Sequence, residues 1–245
     1  MNKTIRVGVL TPSSNTALEP ITSSIVSAMP GVSAHFGRFR VTQIALSDQS
    51  LGQFDDSKIL SAAELLADAN PHVITWSGTS AGWMGFEKDV LLCKRIEERT
   101  GIKASTAVLA LNELIAIKKI KRLGLVTPYT KDVQDKIIAN YASIGIEVVA
   151  ETHRNISVNY DFALVAPQDI EADLLKVSRA KPEAIVTYCT NLRAAHLAEQ
   201  FEAQTAIPLL DTVSTTVWGA IRAAGDDPDK IRGWGQLFSW SSNTK

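Results

Sequence analysis

Apolar positions along this chain fall into two patterns. Short β-branched runs that stop at Gly, Pro, Ser or Asn predict strands over residues 5–10, 73–76, 123–127, 147–150, 184–188 and 209–210. Between them, apolar positions three and four apart predict helices over 15–29, 58–70, 86–100, 106–117, 131–144, 167–179, 192–205 and 213–224. Gly101, Gly145 and Gly225 each follow such a stretch and read as helix ends. Alternation of this kind implies an α/β fold of mostly parallel sheets flanked by helices.

The pattern also repeats. Val9-Leu10-Thr11-Pro12-Ser13 matches Leu125-Val126-Thr127-Pro128-Tyr129, and Thr75-Trp76-Ser77 matches Thr187-Tyr188-Cys189. Two pseudo-symmetric subdomains are expected, over 1–115 and 116–212. Residues 213–245 would form a C-terminal helix and tail that cross back to the first. Sheets of this class bind ligands beyond the carboxyl ends of their strands. An active site is therefore expected in the cleft between the halves. Ser14, Asn15, Gly78, Thr79 and Ser80 would line it from one side, and Thr127, Tyr129, Cys189 and Thr190 from the other.

Composition narrows the partners. The chain has 245 residues, 45% hydrophobic and 21% charged, as in ordinary globular proteins. A net charge of −1 gives no electrostatic case for nucleic acid or an anionic membrane. No apolar stretch reaches the roughly 18–20 residues that span a bilayer, and the N-terminal residues lead into a strand pattern without a signal-peptide core. Two cysteines without ligand spacing argue against a disulfide framework or a zinc site, so a cytoplasmic protein with reduced thiols is expected. Trp76, Trp83 and Met84 read first as core or subunit-interface residues, with the wall of a pocket for an aromatic group as the alternative. An exposed tryptophan-rich face would suit a homo-oligomer.

Several turns carry candidate chemistry. Thr11-Pro12-Ser13-Ser14-Asn15-Thr16 joins a strand to a helix. Its Ser and Asn suit helix capping, and its amide hydrogens with the Asn15 side chain suit binding of a carboxylate. In Ser77-Gly78-Thr79-Ser80 the glycine admits close approach of a ligand, and the hydroxyls can donate to a carboxylate or enolate. A turn held by local hydroxyl bonds has the same sequence. No Gly-x-Gly-x-x-Gly follows the first strand and no Walker lysine is present, which discounts NAD and ATP. Tyr129 directly follows a strand, where its phenol can reach the cleft. Cys93, in Val90-Leu91-Leu92-Cys93, reads as a small buried hydrophobe. Cys189 lies at a strand end, where a helix N-terminus would favour its thiolate. The four histidines form no cluster, and Asp211 reads first as a cap of the last helix.

In order and spacing, Thr11-Pro12-Ser13-Ser14-Asn15-Thr16, Gly78-Thr79-Ser80, Val126-Thr127-Pro128-Tyr129 and Tyr188-Cys189-Thr190 resemble the aspartate/glutamate racemase superfamily. The nearest branch is that of arylmalonate decarboxylases and maleate cis-trans isomerases. The resemblance runs from Val7 to Ala224. It implies two pseudo-symmetric α/β subdomains, no metal or organic cofactor, and a small carboxylic acid as substrate. Racemases and maleate isomerases of the superfamily carry a cysteine in each half. The internal repeat sets Ser77 opposite Cys189, whereas the resemblance sets Gly78 there. Gly78-Thr79-Ser80 with Tyr129 is similar to the decarboxylase turn that holds an enediolate, and Cys189 matches its proton donor. Ser13-Ser14-Asn15-Thr16 and Asn159 look instead like the isomerases, where asparagines bind a substrate carboxylate.

The leading expectation is decarboxylation of a malonate-type 2-aryl or 2-alkyl diacid. One carboxylate would lose its hydration against an apolar wall, with Val41, Ile44 and Val158 as candidates. The other would become an enediolate held by Thr79, Ser80 and Tyr129 and protonated from one face by Cys189. The catalytic set is then Cys189, Tyr129, Thr79 and Ser80. The substrate-binding set is Ser14, Asn15, Gly78, Asn159 and Thr190. The alternative is maleate-type cis-trans isomerisation, in which a thiol adds to a double bond. A second alternative is a non-catalytic carboxylate-binding protein. A cysteine introduced at Gly78 is expected to supply a second base and racemase activity.

Overall fold

The runs at 5–10, 73–76, 123–127 and 184–188 become the inner strands of two sheets, where helices cover both faces, and those at 147–150 and 209–210 become edge strands. The computed structural model describes residues 4–54 and 56–240. The first half runs β1 (Ile5–Pro12), α1 (Leu18–Ser27), β2 (Val32–Phe39), α2 (Asp48–Leu51), α3 (Asp56–Ala67), β3 (Val73–Trp76), α4 (Ala81–Met84), α5 (Glu87–Thr100), β4 (Ala104–Thr106) and α6 (Ala107–Ile117). The second runs β5 (Arg122–Val126), α7 (Lys131–Ser143), β6 (Glu147–Thr152), α8 (Asn159–Phe162), α9 (Pro167–Ser178), β7 (Ala184–Thr187), α10 (Ala198–Thr205), β8 (Leu209–Asp211) and α11 (Thr212–Ala223).

Each sheet has four parallel strands, ordered β2-β1-β3-β4 and β6-β5-β7-β8. The identical order is the structural form of the sequence repeat. Val73–Trp76 and Ala184–Thr187 are buried throughout, as inner parallel strands should be. In both halves the inner strands end on the same side, and the turns that follow them carry the small polar residues.

Two strands lie outside the predicted set, β2 and β4, and both are edge strands. β2 is half-exposed along Val32–Arg38, so its Ser33, His35 and Arg38 interrupt any apolar run. β4 is three residues long. Two predicted helices begin later than expected. α1 opens at Leu18 because the Asn15 side-chain oxygen already accepts from the Ala17 and Leu18 amides, both at 2.9 Å. The stretch before α10 stays a turn and a short 3-10 segment because the Asn191 side chain is tied elsewhere.

α11 leaves the second sheet and packs on α6, β4 and α1 of the first. Asp211 starts it, accepting from the Val213 amide at 2.9 Å and the Ser214 amide at 3.4 Å. Trp218 and Ile221 are fully buried, and Thr215 Oγ1 donates to the Ala107 carbonyl at 3.0 Å. Among the described residues no helix is long and apolar enough to cross a membrane.

Candidate active site

The carboxyl ends of the inner strands of both sheets meet around one cavity of about 20 Å³. From the first half, Pro12 at the end of β1 and Gly78, Thr79 and Ser80 after β3 line it. From the second come Tyr129 after β5, Cys189 and Thr190 after β7, and Asn159 at the start of α8. Val41, Ile44, Phe54, Trp76 and Trp83 complete the wall, and none of the lining side chains is charged. A space of this size holds about one water molecule. A larger groove, about 550 Å³, lies along α10 beside Glu199, Glu202 and Arg232, open to solvent and away from these strand ends.

Burial and hydrogen bonding set the acidity of the cavity groups. Tyr129 is packed edge-on between Trp83 and Phe162, with ring centroids 5.3 and 5.4 Å away. Its hydroxyl is 2.7 Å from Thr79 Oγ1. Burial holds the phenol well above its ordinary pKa, opposed by a hydrogen bond from Thr79. The Cys189 thiol is pushed up to about 12, first by burial. Hydrogen bonds from the Tyr129 hydroxyl and the backbone amides of Asn191 and Leu192 oppose that shift. Thr79, Tyr129 and Cys189 thus form a donor chain ending on sulfur. The expected helix N-terminus at Cys189 is not there, since α10 begins only at Ala198. Turn amides reach the sulfur instead, and the resting group is a thiol.

The predicted site residues divide into two shells. Cys189, Tyr129, Thr79, Ser80, Gly78, Asn159 and Thr190 line the cavity, all the side-chain-bearing ones being buried. Ser14 and Asn15 stand behind it. Ser14 Oγ donates to the Val41 carbonyl and accepts from Asn159 Nδ2, both at 2.7 Å. Asn15 Nδ2 donates weakly to Thr190 Oγ1 at 3.4 Å. The amide hydrogens expected to bind an anion at the start of α1 are already occupied. Thr16 N–H donates to Asn191 Oδ1 at 2.9 Å, and the Asn15 oxygen takes those of Ala17 and Leu18. Thr127 faces away, donating to Gln134 at 2.7 Å. Val158 is 45% exposed and pairs with Gln43 outside the cavity, so of the proposed apolar wall only Val41 and Ile44 belong to it. Cys93, on α5, is not among the lining residues.

Asn191 and Phe54 escaped the sequence reading, and Trp76 and Trp83 read as core ahead of a pocket wall. Asn191 ties the halves together, accepting from Thr16 and Ala17 and donating to the Asn159 carbonyl at 2.5 Å. Trp76 and Trp83, read as core, line the cavity, and their indole nitrogens are buried without a partner. Their signal was position: Trp76 ends β3 and Trp83 follows the Gly-Thr-Ser turn. Trp76 also fills the space beside Gly78. A Cβ built there would lie 2.0 Å from Trp76 Cζ2 and 2.3 Å from Cε2, so a second thiol has no room. Among the described residues no three His, Cys, Asp or Glu side chains come together as a metal site would need.

Comparison with known proteins adds the family. The chain is 23% identical to the maleate isomerase of Nocardia farcinica over 97% of its length and 96% of that protein's. It is 22% identical to the arylmalonate decarboxylase of Bordetella bronchiseptica over 75% of its length and 78% of that protein's. Its fold matches the maleate-bound maleate isomerase of Pseudomonas putida S16 with a TM-score of 0.89, at 24% identity and covering 98% and 99% of the two chains. Of the five relatives matched, four are maleate isomerases and the decarboxylase is the most weakly aligned. The expectation of malonate decarboxylation is therefore overturned in favour of the isomerase alternative. The Gly78 turn that suggested it is one local motif, whereas the isomerase likeness runs along nearly the whole chain. The family model for arylmalonate decarboxylase, which gives the group its name, matches residues 18–238, from the first helix to the last buried turn, and the chain belongs to that family.

Proposed function

We propose that this protein interconverts the cis and trans forms of a small unsaturated dicarboxylate of the maleate type, with Cys189 as the nucleophile. The observation that carries this reading is the single cavity thiol at the end of the Thr79–Tyr129 donor chain. One carboxylate sits against Thr79, Ser80 and Tyr129, and the other against Asn159 and Thr190. Cys189 Sγ adds to the alkene carbon next to the second carboxylate. The π pair moves toward the first carboxylate, which becomes an enediolate, and the thiol proton passes to an enediolate oxygen. The former double bond is now single and rotates. Collapse of the enediolate expels sulfur, returns the proton and leaves the trans alkene. The same sulfur adds and departs, so one thiol suffices and Gly78 is no obstacle. Neutral donors aimed at the enediolate stabilise charge that exists only along the path, which lowers the barrier.

The test is direct. Incubation with maleate, followed by the vinyl proton signals, should show fumarate forming, and Cys189→Ser should abolish it while leaving the fold intact. Release of CO2 from phenylmalonate with no interconversion of maleate and fumarate would overturn the reading.

A further inference from the structure

The cavity holds two kinds of donor. Three of its polar side chains and the Tyr129 hydroxyl are engaged: Thr79 with Tyr129, Asn159 with Ser14, and Thr190 with the Ser77 carbonyl at 3.1 Å. The indole nitrogens of Trp76 and Trp83 are buried and engage nothing. A buried N–H without an acceptor is costly, and at a cavity wall a bound ligand can supply that acceptor. Trp76 has the more telling position. The ring carbon bonded to its nitrogen lies 2.3 Å from the point where Gly78 would carry a Cβ, on the side of the cavity that corresponds to Cys189 in the other half. The ring is held by Phe39, 5.0 Å between centroids, so it is not free to swing away.

We propose that Trp76 is a substrate-contacting, specificity-determining residue: its indole N–H donates to a carboxylate oxygen of the diacid, and its ring closes the cavity face opposite Cys189. This rests on the reading of the substrate as a small dicarboxylate. With no cation on the wall, the diacid is held by neutral donors alone, and the indole supplies one that no protein acceptor consumes. The ring also leaves the substrate plane open to sulfur from one side only. Trp83, on α4, offers a second unpartnered N–H across the same cavity and completes the indole contribution.

Trp76→Phe keeps an aromatic ring against Phe39 and removes the donor. Calorimetric titration with succinate, which binds but has no double bond to react, is expected to give a dissociation constant about tenfold higher in the variant. KM for maleate should rise by a similar factor, with kcat changed less. In nitrogen-15 spectra of the unsubstituted protein, the Trp76 indole peak should move downfield on addition of succinate. That peak is identified by its loss in Trp76→Phe, or by its proximity to the Phe39 ring protons should the variant not fold. Unchanged succinate affinity in a folded variant, or an indole peak that stays in place at saturation, would overturn the proposal. A shifted peak without maleate turnover would remove the isomerase reading and leave this one standing. Turnover with an unmoved peak would do the reverse.

Discussion

At Cys189 two effects oppose each other: burial favours the thiol, while the Tyr129 hydroxyl and two backbone amides favour the thiolate. Removing the hydroxyl tilts that balance and also removes a donor to the enediolate. Tyr129→Phe is expected to lower kcat about 10²-fold, as loss of one preorganised donor does, with a much smaller fall in succinate affinity. Steady-state kinetics beside calorimetry separates the two, and a fall in affinity alone would make Tyr129 a binding residue. Asp89 is also buried, on α5, but does not line the cavity, and its Oδ2 has no partner. Burial lifts its pKa from 3.8 to about 7, against a hydrogen bond from Thr106. The folded state thus holds this proton more tightly than the unfolded chain does. The stability it contributes is complete below 3.8 and is lost as pH rises through about 7. A shift of this size is worth about 4 kcal/mol, and Asp211, lifted to about 6, adds a smaller loss of the same sign. Urea unfolding should show wild-type stability falling between pH 5 and pH 8 and Asp89→Asn losing much less. An equal fall in the variant would rule Asp89 out as the source.

At the scale of elements, a cavity of about 20 Å³ cannot hold a four-carbon diacid, so part of its wall must move. One wall with few backbone ties to the second half is the stretch from Val41 to Phe54. It meets the second half through two backbone bonds, Ile44 N–H to the Ser157 carbonyl at 2.8 Å and Asn159 N–H to the Thr42 carbonyl at 2.9 Å. Gln53 braces it internally, accepting from Thr42 N–H at 2.7 Å and donating to the Gln43 carbonyl at 3.0 Å. Hydrogen exchange is expected to be far faster at the Ile44 and Asn159 amides than within β1, and to slow when succinate is bound. Equal protection in both places would put the opening elsewhere. Sequence pattern reached inner strands and helices because both are written in apolar spacing. It reached the half-exposed edge strand β6 through Val148 and Val149, but not β2, where Ser33, His35 and Arg38 interrupt the apolar run, nor the late start of α10, which depends on where the Asn191 amide is tied. The turns after β3, β5 and β7 were readable as a meeting place because small polar residues crowd there in both halves. Of the Val41–Phe54 wall only Val41 and Ile44 were readable, as apolar candidates, since the stretch is placed by bonds to Ser13 and Ser14 and to a segment a hundred residues away. Trp76 reads as core ahead of a pocket wall because burial at a strand end looks alike whether the neighbour is a helix or a cavity.

The two halves share strand order and register class, yet the whole molecule is not symmetric where it matters. β7 is followed by Tyr188 and a cysteine, while β3 ends in Trp76, followed by Ser77 and a glycine. The expected gain of a second base through Gly78→Cys assumes that this position is empty, and it is filled by the Trp76 indole. The overlap involves three ring atoms within 2.6 Å of the new Cβ, and the ring is backed by Phe39, so no small rotation relieves it. Overpacking of this kind costs about 3 kcal/mol, or roughly 6–12 °C in thermal midpoint for a chain of this length. Trp76→Leu alone leaves a void and costs a similar amount. Combined, each change removes the other's defect: the shortened side chain vacates the space that the thiol then occupies. Thermal unfolding of the four proteins should therefore give a double variant clearly more stable than the sum of the single losses predicts. Strict additivity would mean that the thiol finds room without displacing Trp76. Non-additivity would mean that the missing second thiol and the tryptophan are one feature, a first half whose strand end has exchanged reactive chemistry for a fixed wall.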